Sequence, residues 1–578
     1  MSTEDPEFVR VASVADLADD GTRVVTEGGQ TIALIHHEGE VHAVDNRCPH
    51  MGFPLTEGTV DDGVLTCHWH HARFELSCGD TFDPWADDVP TYPVEVRDDE
   101  VWVKPEPERD RPPAEHWRDR LSVGLNENLR LVIAKSVIGL SAARVPYTEP
   151  FLDGLAFGTE YRADGWGPGL TIHTALTNAR RAFRPEDKPR AMYQGLVHVA
   201  SDVAGEPPKF DQPSFRTRDL SKERLKEWFR ETVEVRDSDG AERCLRTAIH
   251  TLPEPDVAEI LFAAATDHRY LDAGHTLDFV NKAFESLDHV GWEHADQVLP
   301  SVVDGLTDAE RSEESSRWRQ PIDVAGLLSD TYDDLPDLVA AGADEEWTEP
   351  DDVRETLLGD DPHRVVGALT DAIRDGASPE ELARVVTEAA AARVARFSTA
   401  NEFNDWNTVH HTFTYCNAVH QATRRTDATE LYRGVVDGAA SVYLDRFLNV
   451  PPKPIPDGNP GADPSRTLEH LLDAFDEEGE VDTAGRLAAD YLAADGDVDG
   501  LLETLGEGLL REDAGFHTIQ NVEASVRQAE LADDPDRRRV FLVAAARYLA
   551  AHTPTRREMD QTYRIASRLH RGEAIHEE

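Results

Sequence analysis

The chain has 578 residues, of which 112 are acidic and 58 basic, so its formal net charge is −54 at pH 7. This length predicts two to four domains, and a 40% content of hydrophobic residues is enough for packed cores, which excludes an acidic disordered protein. Only eight residues are lysine and no basic stripe is visible, which excludes a nucleic-acid partner because phosphate binding needs clustered cations.

Nothing in the sequence predicts export or a membrane anchor. Residues 1–7 lack the basic and apolar segments of a secretion signal. The longest apolar stretch, residues 129–145, is interrupted by Arg130, Lys135 and Arg144 and is too short to span a bilayer. The five cysteines do not suggest a disulfide framework. We therefore expect a soluble cytoplasmic protein, and its interleaved acidic residues resemble the composition of proteins from halophilic cells.

The first domain, residues 1–105, is predicted to be all-β. Short runs of β-forming residues alternate with turn signals, and Asp61-Asp62-Gly63 is a candidate hairpin turn. The predicted strands are Arg23–Thr26, Thr31–His36, Val41–Val44, Val64–Cys67, Tyr92–Arg97 and Val101–Lys104. A proline-rich linker, residues 106–114, is expected to follow.

Two short motifs in this domain carry ligands for a metal centre. Cys48-Pro-His50 and Cys67-His-Trp-His70 each pair one thiol with one imidazole, sixteen residues apart. A structural zinc site is the alternative, but such sites usually place two cysteines in one of the halves. His71 is an alternative to His70, although the two-residue spacer to His70 fits the motif and the longer spacer does not.

The quartet resembles the ligand set of Rieske iron–sulfur domains, in which two thiolates bind one iron and two imidazoles bind the other. The resemblance extends to Gly52, Gly58 and Gly79, and it is nearest to the ferredoxin and ring-hydroxylating-oxygenase types. It implies one [2Fe-2S] cluster held by Cys48, His50, Cys67 and His70, at the tip of a small sandwich of three sheets. Cys78 lies outside the quartet, and we expect it to be a buried thiol.

The same resemblance implies a low reduction potential. Respiratory Rieske proteins carry serine and tyrosine hydroxyls that hydrogen-bond the cluster and its ligand sulfur, whereas this chain has Ala72 and Phe74 at the matching places. Without these donors the added electron is less well stabilised, so the potential is expected near the low end of the Rieske range.

From about residue 115 onward the apolar periodicity is helical. We predict a helical domain over residues 115–449, a proline-rich linker over 450–464 and a C-terminal helical region over 465–578. Gly169-Leu-Thr-Ile-His173, with His198, and the segment from Leu510 to His517 resemble an all-helical partner of Rieske domains with no assigned activity. That partner is distantly similar to the questin-oxidase-like family.

The segment from Trp406 to Thr423 has no Asp, Glu, Lys or Arg, which predicts a helix buried on most faces. It nevertheless contains His410, His411 and His420, and buried polar groups need partners. A hydrogen-bonded core network is one interpretation, and a polar cavity or metal site is the other. Both interpretations stay open, and the second is the hypothesis that makes these three histidines candidate catalytic residues, of which at most two can converge on one metal. Further ligands, such as His275 or His517, would come from other helices.

Other histidines are interpreted as structural. His275, Asp278, Lys282, Glu285 and His289 recur at 3-4 spacing, which predicts a solvent-exposed face with ion pairs. His289 and His294 echo the His-x4-His of Rieske-oxygenase iron sites but lack the preceding acidic residue. His173 and His517 are expected to be core residues.

The missing motifs limit the function further. The sequence has no G-x-G-x-x-G, P-loop or H-E-x-x-H, so electrons are expected from an external donor, either a reductase or a ferredoxin. We interpret the chain as an oxidoreductase whose cluster passes electrons to a helical domain that oxidises a small organic substrate with O₂, with any second cofactor unknown. The alternative is a Rieske ferredoxin-like carrier with a helical partner-binding scaffold.

Overall fold

The computed structural model describes residues 8–17, 21–107, 111–162, 165–217, 219–573 and 575. Residues 1–7 and part of the predicted linker, residues 108–110, lie outside this range. The chain divides into two compact units, one formed by Met1–Pro150 with Met559–Glu578 and the other by Phe151–Glu558. Among the described residues, no helix has the length and apolar character needed to cross a membrane.

The fold class is confirmed, because strands occupy the N-terminal part and helices fill the rest. The strands are β1 (Val9–Ser13), β2 (Thr22–Glu27), β3 (Gln30–His37), β4 (Glu40–Asp45), β5 (Thr59–Asp61), β6 (Val64–Thr66), β7 (Arg73–Glu75), β8 (Val94–Arg97) and β9 (Glu100–Val103).

The α-helices are α1 (Pro113–Asn126), α2 (Arg130–Ala142), α3 (Thr148–Glu160), α4 (Pro168–Asn178), α5 (Lys188–Asp202), α6 (Lys222–Glu234), α7 (Ser238–Thr251), α8 (Glu254–Ala265), α9 (His275–Val290), α10 (Ala295–Val298), α11 (Val303–Thr307), α12 (Ser316–Arg319), α13 (Val324–Gly342), α14 (Val353–Leu357), α15 (Pro362–Arg374), α16 (Pro379–Ala395), α17 (Phe403–Thr423), α18 (Leu431–Leu444), α19 (Pro464–Ala474), α20 (Val481–Ala493), α21 (Val498–Leu510), α22 (Phe516–Leu531), α23 (Pro535–Ala551) and α24 (Glu558–His570).

The β-domain consists of three antiparallel three-stranded sheets, in the orders β1-β9-β8, β2-β3-β4 and β5-β6-β7. The predicted turn at Asp61-Asp62-Gly63 is confirmed, since Asp61 pairs with Val64 across the β5–β6 hairpin. Asp62 and Gly63 both have positive φ, which matches the twist of a two-residue hairpin. The β5-β6-β7 sheet packs over a buried core that includes Leu65 and Phe74, and this core supports the metal-binding loops.

Three helices complete the first unit. Helices α1 and α2 form an antiparallel pair that approaches closely at Gly124, where a Cβ atom would lie 3.1 Å from the backbone nitrogen of Ile133. Helix α24 comes from the far end of the chain, and its Leu569 lies against Gly52 in the first metal-binding loop. The C-terminal helix is therefore part of the N-terminal unit.

Helices are the regular secondary structure of the second unit over its described residues, and several of them pack around α17. Helices α9, α16, α18 and α22 all pack against α17. Val409, Phe413 and Ala418 of α17 have no exposed surface, so the prediction of a helix buried on most faces is confirmed. The absence of charge from Trp406 to Thr423 follows from that burial, because an unpaired ion would lose its hydration without compensation.

The prediction that α9 has a solvent-exposed charged face is wrong. Asp278, Lys282 and Glu285 are each at most 1% exposed. Lys282 Nζ donates to Glu285 Oε2 and to Glu523 Oε2 of α22, both at 2.8 Å. Charged residues spaced three and four positions apart can form ion pairs on a solvent-exposed helix face or in a buried network. Their spacing therefore does not distinguish an exposed face from a buried one.

Candidate functional site

The four predicted cluster ligands lie on two loops with the same backbone closure. In the first loop, which follows β4, the Cys48 amide donates to the Phe53 carbonyl at 2.8 Å. In the second loop, between β6 and β7, the Cys67 amide donates to the Ala72 carbonyl at 2.8 Å. Each cysteine therefore begins a tight turn that projects the following residues toward the other loop.

Gly52 and His71 occupy matching positions in these two turns. The Gly52 amide donates to Cys48 O at 2.7 Å, and the His71 amide donates to Cys67 O at 3.0 Å. Both residues have left-handed backbones, with φ of 82° and 65°. This conformation favours glycine, and His71 tolerates it with its side chain exposed. His71 therefore closes a loop, while His70 faces the other loop.

The two thiols lie against each other in the buried part of the site. Cys48 and Cys67 are 2% and 1% exposed. The Cys48 thiol donates a hydrogen bond to the Cys67 sulfur, which lowers the pKa of Cys67 and raises that of Cys48. Amides of Trp69 and His70 also point at the Cys67 sulfur. This environment stabilises a thiolate, the form in which cysteine binds iron.

The two imidazoles lie together beside the thiols. The His50 and His70 rings are perpendicular, with centroids 4.9 Å apart. His50 Nδ1 is buried and finds no hydrogen-bond partner among the described residues. Burial lowers the pKa of His50 to about 4, so its ring is neutral at physiological pH. Two paired thiols, two adjacent imidazoles and an orphaned ring nitrogen fit the donor set of a Rieske [2Fe-2S] cluster.

The surroundings of the loops are mainly apolar and aromatic. The Trp85 ring lies 4.7 Å from that of His50, and the Trp69 ring lies 4.5 Å from that of His70. Ala72 and Phe74 are fully buried and supply no hydroxyl. Cys78 was expected to be buried, but it is exposed, because it lies in the turn after β7 where its amide donates to Glu75 Oε2 at 2.7 Å. It takes no part in the quartet.

These features define an iron–sulfur-binding β-domain of the Rieske class. A family model for the Rieske [2Fe-2S] domain matches residues 7–93. The chain is 35% identical over 105 residues to the ferredoxin component of the alkene monooxygenase system of Xanthobacter autotrophicus, covering 18% of this chain and 86% of that protein. It is 39% identical over 95 residues to the 3-phenylpropionate/cinnamic acid dioxygenase ferredoxin subunit of Photorhabdus laumondii, covering 16% of this chain and 90% of that protein.

A third relative matches over the same domain only. Human apoptosis-inducing factor 3 is 35% identical over 104 residues, which are 18% of this chain and 17% of that protein. The chain thus spans under a fifth of that relative but nearly all of the two ferredoxin components. Through its N-terminal domain, the chain belongs to the Rieske [2Fe-2S] family, and this domain is homologous to ferredoxin components of oxygenase systems.

The helical unit contains a second group of metal-binding side chains. His275 of α9, His411 of α17 and His517 of α22 each offer a ring nitrogen, and these three atoms lie within 4.8 Å of one another. The Nε2 atoms of His411 and His517 are 3.0 Å apart. Two nitrogens bound at a right angle to one ion, each about 2.1 Å from it, would be separated by about 3.0 Å.

The three histidines predicted on α17 take different places. His411 belongs to this group, which we call the histidine triad. His410 lies beside it, with its ring centroid 5.2 Å from that of His517, and its Nδ1 is bonded to Asn521 at 3.3 Å. His420 lies elsewhere and is hydrogen-bonded to Gln528 Oε1 at 3.1 Å. The structure thus brings one of the three histidines together with the two partners expected from other helices.

Burial keeps the triad uncharged. It lowers the pKa of His275 to about 4 and that of His411 to about 2, and it lowers the pKa of His517 as well. Neutral imidazole is the form that binds iron, copper or zinc. Phe279 and Phe516 flank the His275 ring, with centroids 5.7 and 5.3 Å away. The triad therefore combines free-base ligands with an apolar wall.

The sequence suggests His275 and His517 as further ligands but favours a structural role for each, and it does not show that both join His411. His275 was assigned to an exposed face and His517 to the core. A usable signal existed in α22, where His517, Gln520, Asn521 and Glu523 form a polar stripe that is buried or half-buried. His289 and His294 are not joined in a site, since His289 Nε2 bonds Asn178 Oδ1 at 2.9 Å. Such side-chain pairing cannot be read from spacing alone.

Proposed function

We propose that this chain is a Rieske-type oxidoreductase that takes up one electron at a time from an external reductase or ferredoxin. Cys48 and Cys67 would bind one iron of a [2Fe-2S] cluster, and His50 and His70 would bind the other. The bound cluster supplies one-electron redox chemistry. The observation that carries the proposal is the facing pair of loops, which presents two buried thiols and two adjacent imidazoles.

The surrounding residues support electron exchange at one edge of the site. The thiols are shielded from water, whereas His70 is exposed and Trp69 is 38% exposed. A redox partner docking over this edge would approach the imidazole ligands rather than the sulfurs. The ferredoxin components to which the domain is homologous belong to oxygenase systems, which supports an oxygenase as the consumer of the electrons.

For the helical unit, we propose a mononuclear metal held by the histidine triad and a substrate oxidised with O₂. A hydroxylation consumes one O₂, two electrons and two protons, inserting one oxygen atom into a C–H bond and releasing the other as water. Two successive one-electron deliveries from the cluster would supply the electrons. His410, fully buried beside the triad with Nε2 unpartnered among the described residues, is suited to bind or orient a polar group of the ligand.

The iron content of the purified full-length protein tests both parts. Two irons per chain would fit the cluster alone, which is the carrier function, and three would fit the cluster plus the triad. His411→Ala and His517→Ala should each lose the third iron and keep the cluster absorbance. His420→Ala is the matched control, because it removes another buried histidine from α17 without touching the triad. Retention of all iron in the triad variants would contradict the second proposal but not the first.

A further inference from the structure

A buried cation lies beneath the first cluster-binding loop. Lys135 lies in the interior of α2, a helix whose other charged residue is Arg130 at its first position, and the Lys135 side chain is 6% exposed. Its Nζ donates to the carbonyl of His50 at 3.0 Å and also contacts the carbonyl of Pro49. The ammonium group is therefore bonded to the backbone of a cluster ligand and of the residue before it.

This lysine belongs to a closed ion network. Lys135 Nζ lies 3.1 Å from Asp87 Oδ2, and Asp87 Oδ1 accepts from Arg120 Nε at 2.9 Å. Arg120 also donates to the carbonyls of Pro84 and Ala86, at 2.7 and 2.8 Å. The three ionic side chains are about nine-tenths buried. Two cations share one anion, which leaves a net positive charge next to the ligand loop.

We infer that Lys135 is a positioning residue that holds the His50 loop and raises the reduction potential of the cluster. This inference rests on the cluster proposed above. Reduction adds one negative charge to the cluster, and a nearby positive charge stabilises the reduced form. Because the group is buried, solvent ions screen it much less than they screen a surface charge. Asp87 offsets part of this effect with the opposite sign.

The network also explains why a lysine is found within an apolar stretch of the sequence. Lys135 interrupts the longest apolar stretch, and an uncompensated lysine there would destabilise α2. Its three acceptors all come from the β-domain, so α2 is joined to the ligand loop by hydrogen bonds to the Pro49 and His50 carbonyls, and both α1 and α2 are joined to Asp87 by ion pairs. The cation is placed where it acts on the cluster and cannot reach solvent.

The test is a comparison of reduction potentials in the full-length protein with its cluster bound. Voltammetry or an EPR-monitored redox titration is carried out on Lys135→Met, Lys135→Arg and Asp87→Asn. Lys135→Met should shift the potential to more negative values and Asp87→Asn to more positive values. Lys135→Arg keeps the charge and should remain nearer to wild type than Lys135→Met. Both shifts should persist in molar KCl.

The matched control is Arg118→Met, which removes a cation from α1. Arg118 pairs with Glu149, and the two side chains are 44% and 42% exposed. The reduction potential of the Arg118→Met protein should equal that of wild type in molar KCl. Shifts of the reduction potential with the same sign in Lys135→Met and Asp87→Asn would overturn the inference. A charge effect predicts opposite signs, whereas loosening of the loop in both variants would shift the potential in the same direction. If Lys135→Met loses its cluster, the sign of the Asp87→Asn shift alone decides. Wild-type protein without a Rieske EPR signal would instead refute the proposed function.

Discussion

Replacing Lys282 by methionine should destabilise the helical unit by about 3–5 kcal/mol, the usual cost of removing one partner from a buried ion pair. The Lys282, Glu285 and Glu523 side chains are at most 1% exposed. Methionine fills a similar volume, so the loss comes from two carboxylates left with too little compensation rather than from a cavity. Arg527, 3.3 Å from Glu285, provides partial relief.

The assay is denaturant unfolding followed by far-UV circular dichroism at constant KCl, with Lys222→Met as the matched control. Lys222 pairs with Glu259 at 3.0 Å, but their side chains are 29% and 20% exposed, so this loss should be about 0–1 kcal/mol. Adding Glu523→Gln to Lys282→Met should recover part of the stability. Equal losses in the two lysine variants would refute the argument that burial determines the cost.

The buried network of Lys282, Glu285 and Glu523 also predicts how stability depends on pH. Burial alone would raise the pKa of Glu285, but Lys282 and Arg527 outweigh it and hold the pKa well below the ordinary value of 4.5. A carboxyl with a depressed pKa in the folded state stabilises the fold above its unfolded pKa. Wild-type stability should therefore fall as the pH drops below about 4.5, and Lys282→Met should show a smaller fall over this range.

Four further predictions concern the cluster and the surface. Cys67→Ser should abolish the visible absorbance and the reduced-state EPR signal, whereas His71→Ala should retain both. Voltammetry should give a midpoint nearer about −150 mV than +300 mV, and a value above about +100 mV would contradict the missing-hydroxyl argument. The melting temperature should rise along a KCl series, because salt screens the repulsion within a chain of charge −54. His268, whose pKa is raised by the hydrogen bond that it donates to Glu313, should contribute stability below pH 6.5 that is lost as pH rises through its folded pKa, a loss absent in His268→Gln.

The cluster-binding loops were predictable because their information is local. Each ligand pair lies within four consecutive residues, and the backbone closure from Cys48 to Phe53 and from Cys67 to Ala72 involves no distant partner. The absence of charge from Trp406 to Thr423 likewise predicts burial directly, since an unpaired ion cannot be buried at low cost. Both features can be read from a few adjacent residues.

Only the tertiary structure decided which distant side chains meet. His411 and His517 are 106 residues apart in sequence, and their contact depends on how α17 packs against α22. In the sequence, Lys135 is a charged residue within an apolar stretch. Its role depends on the packing of α2 against the His50 loop, which lies 85 residues earlier in the chain. Helical periodicity shows which face of a helix carries the charged residues. It does not show whether that face meets solvent or a buried ion network, because charged residues have the same spacing in both cases. The packing of neighbouring helices determines which of the two forms.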